Sequence, residues 1–182
     1  MNLILYGFKS CGKTTLGQKV AKSMSCAFYD TDNLVESLYQ IKTGQCVSAR
    51  EIFKSEGEVY FRGLEKQILP LITNVKNSII AAGGGLVLDP FNRHFLEQLG
   101  KLVYLKVKKK TIHERIFFTE THCSNLPGFL DVNYPEESFE QIFKKRTLAY
   151  EQIPAYRLII EGQKQDREIF SELENLLVSY GK

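Results

Sequence analysis

The chain has little that would tie it to zinc, to a membrane or to nucleic acid. Its three histidines, His94, His113 and His122, are not spaced as zinc ligands are. Its four cysteines, Cys11, Cys26, Cys46 and Cys123, form no C-x-x-C pair, which argues for reduced thiols in a cytosol rather than a disulfide framework. No apolar run approaches the ~20 residues of a membrane span. The first residues enter a strand directly, with no basic n-region or cleavage site, so no secretory signal is expected. A net charge of +3 is too mild to draw nucleic acid. No repeat, linker or low-complexity stretch divides the chain. What remains is an ordinary soluble composition, 43% hydrophobic and 25% charged over 182 residues. That length fits one domain, 1–182, expected to act in the cytoplasm as a monomer.

Against this plain background one stretch stands out. Gly7-Phe8-Lys9-Ser10-Cys11-Gly12-Lys13-Thr14, followed by Thr15, fits G-x-x-x-x-G-K-[ST] at every fixed position. The β-prone run Asn2–Tyr6 precedes it. The apolar spacing of Leu16, Val20, Ala21 and Met24 after it suits a helix packed on a sheet. A helix N-terminus offers unpaired N–H groups and partial positive charge, which hold phosphate. Gly7 and Gly12 let the backbone approach that phosphate. Ser10, Cys11 and Thr15 complete the nucleotide contacts, Lys13 is expected to reach the β- and γ-phosphates, and the Thr14 hydroxyl to hold Mg²⁺. Cys11, near the helix start, is expected to be a reactive thiol that ATP shields.

Further acids and glycines fall at strand ends. Cys26–Asp30 reads as a second strand. Asp30 and Asp32 share a face if the strand continues, and they diverge in role if Asp32 already caps the next helix. Gly44 breaks that helix. Ser48-Ala49-Arg50-Glu51 matches a capping box. A longer helix from about Glu58 places Arg62 and Glu65 within pairing distance, with its end near Pro70. The buried strand Ser78–Ala82 runs into Gly83-Gly84-Gly85, a triplet expected to bring bare backbone N–H groups close to a ligand. Asp89-Pro90 opens a helix with Phe91, Phe95, Leu96 and Leu99 apolar. Leu102–Leu105 is a fourth strand, and Arg115 lies on the short helix after it. Residues 119–135 lose periodicity and read as a lid. A helix from Glu136 to Ile153 carries Phe139, Ile142, Phe143 and Leu148 as apolar positions, with Lys144, Lys145, Arg146 and Tyr150. Leu158–Ile160 is a fifth strand, and Asp166 to Tyr180 a closing helix. Strands alternating with helices predict an α/β fold, an open parallel sheet with helices on both faces.

In this order the motifs make the chain resemble the shikimate kinase family over nearly its full length. The residues that carry the likeness are Gly7–Thr14, Asp30-Thr31-Asp32, Phe61-Arg62 with Glu65, Gly83-Gly84-Gly85, and Arg146 four residues before Tyr150. The resemblance implies a P-loop kinase fold with five strands in the order 2-3-1-4-5. It implies phosphorylation of the 3-hydroxyl of shikimate by ATP with Mg²⁺, a step toward chorismate and the aromatic amino acids. Lys13 and Asp32 would be catalytic, with Asp32 meeting the substrate hydroxyls as base or orienter. Asp30 would help Thr14 hold Mg²⁺ through water. Arg62 and Arg146 would clamp the shikimate carboxylate, Glu65 would orient Arg62, and Gly83, Gly84 and Gly85 would line the substrate. Arg115 would stack on adenine. The substrate-binding segment would be about 32–62, and the lid about 119–135.

One departure stands out. Where the family's lid has Arg-Pro, this chain has Leu126-Pro127, and no arginine occurs between Arg115 and Arg146. Lys144, Lys145 and Arg115 are the candidate substitutes. The departure leaves two other readings open. One is a related kinase for gluconate or a nucleoside monophosphate. The other is a nucleotide-binding protein with impaired catalysis.

Overall fold

The computed structural model describes residues 1–118, 126–160 and 166–179. Strands β1 (Asn2–Tyr6), β2 (Ala27–Asp30), β3 (Ser78–Ala81), β4 (Gly100–Val107) and β5 (Tyr156–Ile160) form one sheet in the order β2-β3-β1-β4-β5. Every pairing in it is parallel. Helices α1 (Lys13–Ser23), α2 (Thr31–Thr43), α3 (Ala49–Ile68), α4 (Pro90–Leu99), α5 (Lys109–Phe117), α6 (Pro135–Glu151) and α7 (Asp166–Ser179) flank it. All residues of β1 and β3 are buried. Because successive side chains point to opposite faces of a strand, both faces of the sheet must be covered there. β4 extends beyond the apolar Leu102–Leu105 at both ends, since β1 pairs with it from Gly100 and β5 through Val107.

The register fixes where ligands can bind. Asp30 of β2 pairs with Ala81 of β3, Ala81 with Leu5 of β1, and Leu5 with Val103 of β4. The loop at Gly7, the start of α2 and the glycine triplet therefore leave one edge of the sheet together. From β1 the chain runs outward to β2 on one side, and from β3 it crosses to β4 on the other. The crevice at such a switch of direction is where open α/β sheets bind ligands.

Local signals explain the helix ends. α2 begins at Thr31 with Asp30 as its cap, the Asp30 side chain accepting the Asp32 N–H at 3.0 Å. Asp30 therefore ends the strand and Asp32 sits in the first helical turn, so the two acids take different roles. The capping box at Ser48 and Glu51 is formed in full. α3 kinks at Gly57 (φ 83°), and the helix expected from Glu58 is its second half. α3 passes into a short 3₁₀ turn, Leu69–Ile72, which contains Pro70. Two residues expected on apolar faces are exposed, Phe91 and Leu148, while Leu96 and Phe139 on the same helices are fully buried. A second, smaller core that includes Val35, Tyr39, Ile52, Phe61, Leu64 and Ile68 joins α2 to α3, the helix that carries Arg62. Of the expected lid, residues 119–125 lie outside the described residues. The irregular chain that follows is anchored, with Leu126 and Phe129 packed on the main core and Leu130 buried. No helix among the described residues is long and apolar enough to cross a membrane.

Candidate active site

Two cavities open at the carboxyl edge of the sheet and share a wall. The first, about 480 Å³, follows the glycine loop. Gly7 (φ 148°) and Gly12 (φ 100°) hold backbone shapes that side chains resist, and a Cβ on Gly7 would stand 2.8 Å from the Leu105 carbonyl. Gly12 then caps α1. Ser10 takes a left-handed conformation (φ 63°), a strain of about 1 kcal/mol for a residue with a Cβ. Ser10, Cys11, Gly12, Lys13, Thr14 and Thr15 all line this cavity. The Lys13 ammonium donates to the Gly7 and Phe8 carbonyls at 3.2 and 3.1 Å, which ties it to the loop. Cys11 corrects an expectation. Its thiol is 1% exposed, packed under the loop against Gly7, and is closed to reagents from solvent.

The Thr14 hydroxyl donates to Asp30 at 2.7 Å. A hydroxyl and a carboxylate side by side at the head of α1 are hard oxygen donors, the kind Mg²⁺ prefers, so these residues fit the metal. Arg115 reaches the far side of the same cavity and donates to the Ser10 carbonyl at 2.9 Å, with Ile160, Ile169 and Phe170 nearby.

The second cavity, about 410 Å³, lies over the glycine triplet. Arg62 comes from α3, where the second core fixes the helix. Its guanidinium donates to Glu65 at 2.7 Å and to Glu58 at 3.1 Å and lies over the Phe61 ring. Glu65 is 2% exposed. Burial pushes its carboxyl up to about 7, while Arg62 pulls it back. Arg146 comes from α6, sandwiched with its guanidinium carbon 4.3 Å from the centre of the Phe129 ring and 5.8 Å from that of Phe8. Tyr150, one turn on, donates to the Gly84 carbonyl and so pins this face of α6 to the triplet. Arg62 and Arg146, far apart in sequence, thus line one cavity with Asp32, Gly83, Gly84 and Gly85.

The glycine triplet departs from its sequence reading at Gly83. The Gly83 N–H is not bare, because the buried Thr31 hydroxyl accepts it at 2.7 Å. An N–H enclosed at a sheet edge has to be paired. Gly83 and Gly85 also make room for side chains. A Cβ on Gly83 would stand 2.8 Å from the Asp32 carboxylate, and one on Gly85 would fall on the Arg62 guanidinium. Thr31 was quoted in the motif without a role, and its pairing with Gly83 depends on strand register that no local pattern reveals.

Asp32 lines both cavities. Burial raises its carboxyl above the ordinary aspartate range, with Asp30 adding to the rise, while Lys9, Lys13 and Arg62 oppose it. Lys144 and Lys145 are exposed and line neither cavity, so they do not stand in for a lid arginine. Two cations missed in the sequence are present instead. Arg50 lines the second cavity, with its Nε buried and without a hydrogen-bond partner. Lys9 lines both.

Comparison with known proteins agrees with this geometry. The family model described as Shikimate kinase matches residues 9–177. A shikimate kinase of Caldanaerobacter subterraneus is 37% identical over 149 residues, 82% of this chain and 81% of the relative. Among solved structures, shikimate kinase from Acinetobacter baumannii in complex with shikimate superposes with a TM-score of 0.77 at 30% identity, covering 98% of this chain and 93% of that one. The enzyme from Bacteroides thetaiotaomicron gives a TM-score of 0.78 at 26% identity, covering 98% of both. With the loop, the paired arginines and the matched length in agreement, the chain belongs to the shikimate kinase family.

Proposed function

We propose that this protein transfers the γ-phosphoryl group of ATP to the 3-hydroxyl of shikimate. The observation that carries the reading is the shared wall. A cavity built for a triphosphate and a cavity with two arginines meet at Asp32. Arginine pairs with a carboxylate through parallel N–H bonds, so Arg62 and Arg146 hold the shikimate carboxylate at the far end of the second cavity. The ring hydroxyls then face Asp32. The Asp32 carboxylate orients the 3-hydroxyl and takes its proton as the oxygen bonds to the γ-phosphorus. The bond from that phosphorus to the β,γ-bridging oxygen breaks, and ADP leaves with the electron pair. The loop amides and Lys13 hold the phosphates in line, and Arg115 meets the adenine. Bound at Thr14 and Asp30, Mg²⁺ would supply charge neutralisation on the β- and γ-oxygens. Glu65 keeps Arg62 aimed into the cavity, and Gly83, Gly84 and Gly85 let both arginines and Asp32 approach the substrate.

The reading extends to one domain, acting as a monomer in the cytoplasm, with its substrate segment at about 32–62. An assay coupled to ADP release tests it, with gluconate and nucleoside monophosphates as rival acceptors. Turnover that saturates with shikimate is expected. ADP release independent of millimolar shikimate, with folded protein and Mg²⁺, overturns the assignment. Turnover with a rival acceptor moves it, and ATP binding without transfer to any acceptor marks a protein that has lost catalysis.

A further inference from the structure

A phosphoryl group passing from one cavity to the other crosses their common wall, and the charge on its oxygens must be met there. Seven described cations line the two cavities. Lys13, Lys19 and Arg115 belong to the first, and Arg50, Arg62 and Arg146 to the second. Lys9 is the one cation among the described residues that lines both. The backbone puts it there. Cys11 donates its N–H to the Phe8 carbonyl at 3.3 Å, closing a turn whose two middle residues are Lys9 and Ser10. Ser10, the third residue of that turn, takes the positive φ that type II turns have at this position. Phe8 anchors the turn on one side, 4% exposed among Phe129, Phe139 and Phe143. Cys11 anchors it on the other, 1% exposed.

The strained turn therefore presents the Lys9 side chain at the rim while its neighbours are locked in the core. Most of the other cations in the wall are occupied. Lys13 is bound to two loop carbonyls, Arg62 to two glutamates and Arg115 to the Ser10 carbonyl. Among the described residues no hydrogen bond or ion pair engages the Lys9 ammonium. Of the charges around Asp32, Lys9 pulls that carboxyl down most, so its ammonium faces the acid that both cavities share.

We propose that Lys9 is a catalytic residue, its ammonium contacting the phosphoryl group as it passes between the two cavities. The proposal rests on the phosphotransfer reading above, but not on which hydroxyl compound accepts the group. A positive donor preset where negative charge builds favours the transition state over the bound substrates. Its loss therefore appears in kcat rather than KM.

The test compares Lys9→Met and Lys9→Arg with the parent protein, after circular dichroism and thermal melts confirm folding. Lys9→Met should lower kcat about 10²-fold, the scale of one lost transition-state donor, with KM for ATP and for the acceptor changed less than about threefold. Lys9→Arg, which keeps the charge, should restore most of the rate. An unchanged kcat in Lys9→Met overturns the proposal, and so does a loss confined to either KM. If the parent is inert toward shikimate but active on another acceptor, the shikimate assignment falls and the same comparison on that acceptor still decides Lys9. If no acceptor is found, calorimetry decides it. ADP with aluminium fluoride and Mg²⁺ mimics the group in transfer. Lys9→Met should bind that mimic about tenfold or more weakly while binding ADP itself as the parent does, and equal affinity for the mimic refutes the contact.

Discussion

The two cavities meet at Asp32 and Lys9, yet they are built from different materials. The nucleotide side is mostly backbone: two glycines and a strained serine shape a loop, and its lysine is tied to that loop's own carbonyls. The acceptor side is made of charged side chains from separate helices, held among aromatic rings and separated from the sheet by glycines that have no bulk. A backbone cradle suits a ligand part that is always the same, the triphosphate. Side chains suit a part that must be told from its analogues, because a site left with an unpaired charge rejects the wrong ligand.

The largest effect is expected where the backbone cavity depends on one side chain. Lys13→Ala should lower kcat by about 10³-fold or more and weaken ATP binding, since it removes the cation that meets the β- and γ-phosphates. Steady-state kinetics and ATP calorimetry check it. A near-parental kcat would mean that the main chain alone carries the phosphates, a sharper division between the cavities than the one drawn above.

On the acceptor side the next largest effect comes from adding a methyl. Gly85→Ala places a Cβ on the Arg62 guanidinium and should move it by about 1 Å, lowering kcat/KM for shikimate about 10²-fold while leaving KM for ATP within about twofold. Arg62→Lys keeps the charge and loses the fork, so KM for shikimate should rise about tenfold, again with little change for ATP. Equal effects on both substrates, in either variant, would break the comparison, because the two cavities would then be one coupled site.

The same contrast explains what the sequence could reveal. The loop from Gly7 to Thr14 is contiguous, and its chemistry needs glycines and a lysine at fixed spacing, so it reads directly. The strands and the capping box are equally local. The two open alternatives were a strand running on through both acids and a helix capped by Asp32. The cap is Asp30 instead; both acids suit a cap, and only the register with Ala81 decides. The aromatic bed of Arg146 joins residues from the loop, from the segment after Pro127 and from α6, and no spacing rule brings those together. Thr31 and the crowding at the glycines lay beyond reach for the same reason. Cys11 misled because a position near a helix start suggests reactivity, whereas its burial under Gly7 is a property of packing.

The smallest effect is on stability, and it separates the two building materials by pH. Backbone amides do not titrate between pH 5 and 8, but the acceptor cavity holds a buried carboxyl that does. Glu65 titrates near 7 in the folded protein, against about 4.3 for an unperturbed glutamate. Below about pH 4 it is protonated in both states and folding is indifferent to it. As pH rises, the unfolded chain gives up the proton first. The folded state keeps it until about 7, and the loss of stability reaches roughly 3.5 kcal/mol before the difference levels off. Glu65→Gln cannot titrate. Urea denaturation should therefore show the parent losing about 2.5 kcal/mol more than the variant between pH 5 and pH 8. If both lose the same amount, the Arg62 guanidinium at 2.7 Å holds Glu65 ionised throughout, and the pair acts as a fixed charge rather than a titrating one.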